Sequence, residues 1–197
     1  MSAHAPREAA QERHSAETRI SLSLNLDGEG KTRIQTGFGL LDHMLTLSMF
    51  WAGMDLQLSC QGDLDVDAHH SVEDVGLTLG RALLEALGDR AGIARVGYGR
   101  VPMDEALILC AIDLSGRPCL RYTADIPAER IGELDTELVR EFMQAFANAG
   151  MFALHIRQLD GINSHHIVEG MFKAMARALK TAVKITGDAL PSTKGVL

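Results

Sequence analysis

His69, His70 and Glu73 in "VDAHHSVEDVG" set two adjacent imidazoles about one helical turn ahead of a carboxylate. In a helix neighbouring side chains point about 100° apart, so the two histidines splay while Glu73 returns to their side at i+4 and i+3. One metal ion cannot easily take both rings. The arrangement suits a ligand pair for one ion, with the second histidine reaching for another. The pattern comes back in "SHHIVEG", where His165, His166 and Glu169 repeat it. Residues 69–83 overlay residues 165–179 with identities at His, His, Val, Glu, Arg, Ala and Leu, so the chain carries an internal duplication. Paired histidines that merely cap and pack a helix do not account for two such copies.

Duplication predicts that further ligands also come in pairs. His43 in "LLDHML" stands ten residues before Gly53, and the corresponding place in the second half, nine before Gly150, holds Glu141 in "LVREFM". His43, His69, His70, Glu73, Glu141, His165, His166 and Glu169 then supply two ions with four nitrogen or oxygen donors each. Octahedral Mn²⁺ or Fe²⁺ would keep two positions open for substrate, whereas a structural zinc would be closed and commonly use cysteine. His155 in "ALHI" corresponds to about Leu58 and has no symmetry partner, so it is expected to be a core or supporting histidine.

Cations stand in turn or glycine-rich contexts: Arg95 in "GIARVG", Arg117 in "SGRP", and Ser192 with Lys194 in the polar tail "PSTKGVL". Lys173 follows Glu169 by four residues and so shares its helical face. A cation held there suits a phosphate attached to a metal-bound group.

The elements that must position these residues read as follows. "TRISLSLNLDGEGKTRIQT" alternates on either side of Asp27-Gly28 as a hairpin, "FGLLDHMLTLSMFWAG" is of helical length, "MDLQLSCQG" is a strand, and the "HHSVED" helix stops near Gly88. The second half repeats the order with strands around Ser115-Gly116, a helix in "ELDTELVREFMQAFANAG", the strand "MFALHIRQL" and a helix from about Ser164 to Thr186. The fold class is α+β, with two pseudo-symmetric β-β-α-β-α halves whose helices pack together between two outer sheets. Residues 1–13 read as a mobile polar tail, 14–92 as the first half and 93–197 as the second, with 88–100 as the junction.

The chain of 197 residues is 46% hydrophobic, enough to bury a sizeable core. Its net charge of −7 argues against a nucleic-acid partner and requires a local cation cluster for any anionic substrate. No apolar run approaches the roughly 20 residues of a membrane span. The first residues lack the apolar core of a secretion signal, and Cys60, Cys110 and Cys119 lack CxxC spacing, in keeping with reduced thiols in the cytoplasm.

"RHSAET", "LDGEG", "LLDHML", "HHSVED", "SGRP", "NSHHIVEGMFKAMARAL" and "PSTKGVL" resemble, in order from about Arg13 to Leu197, the motifs of the imidazoleglycerol-phosphate dehydratase family of histidine biosynthesis. The resemblance implies a monofunctional enzyme with two Mn²⁺ per site that converts imidazole glycerol phosphate to imidazole acetol phosphate. It implies that His43, His69, His70, Glu73, His165, His166 and Glu169 are ligands. Arg95, Arg117, Lys173, Ser192 and Lys194 would hold the phosphate, and Glu17 of "SAET" would serve the reacting carbons. It also implies a homo-oligomeric shell of 24 subunits with sites at subunit boundaries. Two departures stand out: "REFM" replaces the family's "EHFF", so Glu141 must take over a histidine's coordination or leave it to water, and "TLSMFW" replaces a more polar stretch.

The chemistry explains the parts. The proton to be removed is not acidified by a carbonyl. With two metals on the ring nitrogens the substrate can become an imidazolate that expels the neighbouring hydroxyl to give a diazafulvene. Proton loss next door gives the enol and then the ketone, with Glu17 as acid-base group. A binuclear metallohydrolase acting on a phosphorylated small molecule uses the same ligands but needs no imidazole ring. A metal-storage protein leaves the cations idle.

Overall fold

The structure, a computed structural model, describes residues 6–195. In chain order the elements are β1 (Glu8–His14), β2 (Thr18–Asn25), β3 (Thr32–Gln35), α1 (Gly39–Ala52), β4 (Asp55–Gly62), α2 (His69–Leu87), β5 (Val96–Met103), β6 (Ala106–Asp113), β7 (Cys119–Thr123), β8 (Arg130–Ile131), β9 (Leu134–Asp135), α3 (Glu137–Gly150), β10 (Ala153–Asp160) and α4 (Ser164–Ala182). The fold is α+β. One four-stranded sheet runs β1-β2-β4-β3, the other β5-β6-β10-β7, and β8 and β9 form a small ribbon. Strands of both sheets alternate buried and exposed residues, and the buried side of each faces helices. Helices from the two halves meet in the middle, α2 on α3 and α1 on α4. Phe142, Phe146, Phe152 and Phe172 fill that layer, with ring centroids 5.5 Å apart for Phe142 and Phe172 and 5.0 Å for Phe146 and Phe152.

Each four-stranded sheet contains one strand more than the sequence pattern suggests, and the second half adds the β8–β9 ribbon. Residues 8–13, expected to be a mobile tail, are most of β1, paired antiparallel with β2. Only Ala9 of this strand is buried, so no apolar alternation announces it. Arg13 secures it, reaching Asp74 on α2 at 2.8 Å. Residues 1–5 lie outside the described residues. The expected junction at 88–100 ends in β5, whose glycines face α4. A Cβ on Gly97 would lie 1.9 Å from the Ala178 carbonyl oxygen, and one on Gly99 2.3 Å from that of Ala174, so the helix can approach this strand only where side chains are missing.

The hairpin expected around Asp27-Gly28 does not form. β4 lies between β2 and β3, and β3 pairs with it in parallel. The link instead passes over the start of β4, where Asp55 Oδ1 accepts from the amides of Glu29 and Lys31, both at 2.8 Å. In the second half β10 separates β6 from β7 in the same way. The hairpins that form within the two sheets are β1–β2 and β5–β6.

All four helices start at one end of their layer. Leu41 and Met44 of α1, Val72 of α2, Leu138 and Phe142 of α3, and Val168 of α4 line one small apolar pocket. Both HHxxE copies therefore sit at this end. Among the described residues, no helix is long and apolar enough to cross a membrane. Cys60 and Cys110 are buried, Cys119 is half-buried, and all three are free.

Candidate metal centre

The start of α4 is fixed by Asn163, whose side chain accepts from the backbone amides of His165 at 2.9 Å and His166 at 3.2 Å. At the matching place before α2, Asp67 accepts from the His69 amide alone, at 2.7 Å, while the N-cap itself, Ala68, offers no side-chain acceptor. Each acceptor stands two residues before its histidine pair. From there the rings splay as helical geometry requires, with interplanar angles of 89° for His69 and His70 and 85° for His165 and His166.

On α4, His165 Nε2 lies 3.2 Å from Glu169 Oε2, and His43 Nε2 of α1 lies 3.7 Å from the same oxygen. Ligand atoms of His43, His165 and Glu169 all fall within 4.8 Å of one another, the one such group among the described residues. Two imidazoles and a carboxylate at this spacing fit a divalent ion that accepts nitrogen and oxygen donors. Burial pushes the Glu169 carboxyl up, but Lys173 at 2.5 Å and His165 pull harder, and the net shift is downward. Glu169 is thus held as an anion. Lys173 also donates to Met103 Sδ at 3.3 Å and lies over the Trp51 ring, 5.7 Å from its centroid.

His70 and His166 are oriented by carboxylates on other elements. His70 Nδ1 lies 3.0 Å from Asp63, and His166 Nδ1 lies 2.7 Å from Glu105. Those hydrogen bonds are the leading cause that raises both histidines above their ordinary pKa. Glu105 is drawn down to about 2, by His166 first and then by the Asn163 amide. On the far side of each ring a second carboxylate stands back, with Glu17 Oε1 3.6 Å from His70 Nε2 and Asp104 Oδ2 3.6 Å from His166 Nε2.

The other expected ligands are not gathered within the chain. His69 is exposed and Glu73 half-buried on α2, and neither joins a third donor. Glu141 Oε1 on α3 is held by Arg140 at 3.0 Å. His155 is no core residue: it is exposed on the outer side of β10, between the buried Leu154 and Ile156.

Nor do the five phosphate-site residues form one cluster. The Arg95 amide donates to the carbonyl of Ala182, the last residue of α4, at 2.9 Å. The Arg95 guanidinium binds Asp113 at 2.7 Å and the Pro191 carbonyl at 2.9 Å, which brings it beside the segment carrying Ser192. Arg117 donates to the Ser115 carbonyl at 3.1 Å. At 1.5 Å per residue, Ala182 is roughly 25 Å from His165 along α4. Lys173 alone stays with the metal ligands; spacing in sequence does not reveal which end of an element a residue serves.

Sequence reasoning missed Asp63, Glu105 and the two acceptors before the histidine pairs. Asp67 and Asn163 become visible once the overlay of the two copies is extended two residues back. Asp63 and Glu105 come from unrelated places, after β4 and in the β5–β6 turn, and carry no repeated signal.

A family model described as imidazoleglycerol-phosphate dehydratase matches residues 36–179. The chain is 53% identical over 194 residues to the imidazoleglycerol-phosphate dehydratase of Ruegeria pomeroyi, covering 97% of this chain and 100% of that protein. The protein of that name from Heliobacterium modesticaldum gives the same identity and coverage. Among solved structures, the imidazoleglycerol-phosphate dehydratase of Staphylococcus aureus superposes with a TM-score of 0.83 at 38% identity, covering 91% of this chain and 99% of the other. The enzyme from Pyrococcus furiosus, solved in complex with (S)-C348, gives a TM-score of 0.82 at 36% identity, covering 95% of this chain and 100% of that one.

Proposed function

The chain belongs to the imidazoleglycerol-phosphate dehydratase family, and on that premise we propose that it works through metal sites completed between subunits. Its reaction is that of a hydro-lyase in histidine biosynthesis, the dehydration of imidazole glycerol phosphate to imidazole acetol phosphate. Membership sets aside the metallohydrolase and storage readings.

The observation that carries the proposal is the separation along α4. His43, His165 and Glu169 converge at its start, whereas Arg95 and the Ser192 segment lie at its end. A small substrate cannot touch both ends of one chain, but it can lie where the ligand end of one subunit meets the arginine end of another. A homo-oligomer, in the full form a shell of 24 subunits, supplies that meeting.

Two ions, Mn²⁺ or Fe²⁺ by donor type, would be held by His43, His70, His165 and Glu169 and by His69, Glu73, Glu141 and His166, drawn from more than one chain. When bound they supply Lewis acidity to the nitrogens of the substrate ring. The remaining work falls to the protein. Arg95, Arg117, Lys173, Ser192 and Lys194 grip the phosphate, and that remote binding aligns the reacting carbons. Glu17, whose Oε1 lies 3.6 Å from His70 Nε2, would take the proton from the carbon that becomes the ketone. The cytoplasm is the compartment that its free thiols suit.

The experiment has two arms. Purified protein with Mn²⁺ should convert imidazole glycerol phosphate to the enol-ketone product, followed in the ultraviolet. Arg95→Ala and Glu169→Gln should each be inactive, and particles assembled from both variants should regain activity, because intact sites form where each contributes its sound end. Activity in the wild type without any regain in mixtures would confine each site to one chain.

A further inference from the structure

We propose that Asp63 and Glu105 are positioning residues, each accepting a hydrogen bond from Nδ1 of the second histidine of its motif so that Nε2 is the atom offered to a metal ion. The inference rests on the metal reading above and adds the residues that orient the rings. A neutral imidazole carries one N–H, and a carboxylate on Nδ1 keeps the proton there, leaving the Nε2 lone pair free. The contacts are 3.0 Å for Asp63 with His70 and 2.7 Å for Glu105 with His166.

The two placements are independent of the duplication. Glu105 immediately precedes β6, the position that Glu17 holds before β2, yet Glu105 lies on Nδ1 of its histidine and Glu17 stands near Nε2. In the first half the Nδ1 partner comes instead from Asp63, just beyond β4, where the overlaid second half has Leu159. Two unrelated segments thus bring a carboxylate to the same ring atom in both copies. Glu105 is itself fixed against the helix it serves, accepting from the amides of Ile162 at 3.2 Å and of Asn163, the α4 cap, at 2.7 Å. The first histidine is held differently, since His165 meets Glu169 of its own helix through Nε2.

Mn²⁺ affinity and stoichiometry of the assembled protein at neutral pH, read from the electron paramagnetic resonance of the free ion, test this without reference to turnover. Glu105→Ala and Asp63→Ala should each weaken one ion of the pair by about 10–100-fold. Glu105→Gln, whose amide oxygen still accepts from Nδ1, should bind nearly as the wild type does. Glu105→Ala added to His166→Ala should cost nothing beyond His166→Ala, because the carboxylate acts through that ring. If Glu105→Ala fails to fold, Glu105→Met keeps the length, drops the acceptor, and should show the same loss. Wild-type affinity in the Ala or Met variants, a Gln variant as weak as Ala, or an additive double variant would each overturn the inference. A wild-type protein that binds no Mn²⁺ would overturn the metal reading, and this inference with it.

Discussion

In the second half of the chain His165 and Glu169 meet His43, which α1 brings across from the first half. In the first half His69 and Glu73 stand on α2, which packs on α3, and there the place of His43 is taken by Glu141, whose Oε1 is paired with Arg140. The side-chain acceptor two residues before each histidine pair and the splay of the rings recur in both copies, so duplication reproduced the backbone and not the company. The difference is one of completeness. Three possible donors, His43, His165 and Glu169, converge within the chain, whereas among the described residues His69 and Glu73 join no third; on the function proposed above, a neighbouring subunit would supply the rest.

The largest effect should come from the more complete centre. Glu169→Gln removes the buried anion that His43, His165 and Lys173 all address. Outer partners of metal ligands already cost about 10–100-fold when lost, so losing this ligand should weaken one ion by more than about 100-fold and abolish turnover. Metal analysis beside the product assay would show it. Glu73→Gln should do the same only in the assembled particle. In dissociated subunits it should change nothing, since there His69 and Glu73 hold no ion; equal losses in both variants at the subunit level would erase the distinction between the halves.

Glu141 is the point where the copies differ most in residue type. Its Oε1 is paired with the exposed Arg140, whereas His43 at the matching place lies against the buried Glu169. Glu141→Ala should lower metal content and activity together, by about 10-fold or more, while Glu141→His should retain much of both because imidazole suits the same ions. Full metal occupancy in Glu141→Ala would assign that coordination position to water.

The repeat made α2 and α4 legible, with the helical phase of their histidines and glutamates, because a periodic motif seen twice fixes both phase and approximate start. It nearly paired His43 with Glu141 correctly as well. The mismatch between ten and nine residues disappears in the structure, where α1 is capped by Gly53 and α3 by Met151, each in the left-handed region. Met151, at φ 54°, does a glycine's work without being one, which composition cannot announce. Strand order was not legible either. Alternation marks β2, β3 and β4 as strands but says nothing of which pairs with which, and β1 hides its pairing behind polar residues. The distance between Lys173 and Arg95 escaped for a related reason: it is set by the length of α4, not by residue type.

The smallest expected effect separates the halves by acidity. Asp55, the first residue of β4, holds the crossing link of the first half, and the first residue of β10 is Ala153, which can offer no such bond. The Lys31 amide, and then that of Glu29, lower the Asp55 pKa below its ordinary 3.8. A carboxyl lowered on folding adds stability that is fully present above its unfolded pKa and is lost as pH falls through the folded one. Hydrogen exchange should therefore find residues 26–31 as protected as 114–118 near neutrality and selectively loosened below the ordinary carboxylate range. Asp55→Asn keeps an acceptor and drops the charge, so it should slightly loosen the 26–31 link at neutral pH and differ little from the wild type in acid. A link that loosened equally in both halves, or a variant whose deficit persisted at low pH, would mean that Asp55 contributes through packing and not through its charge.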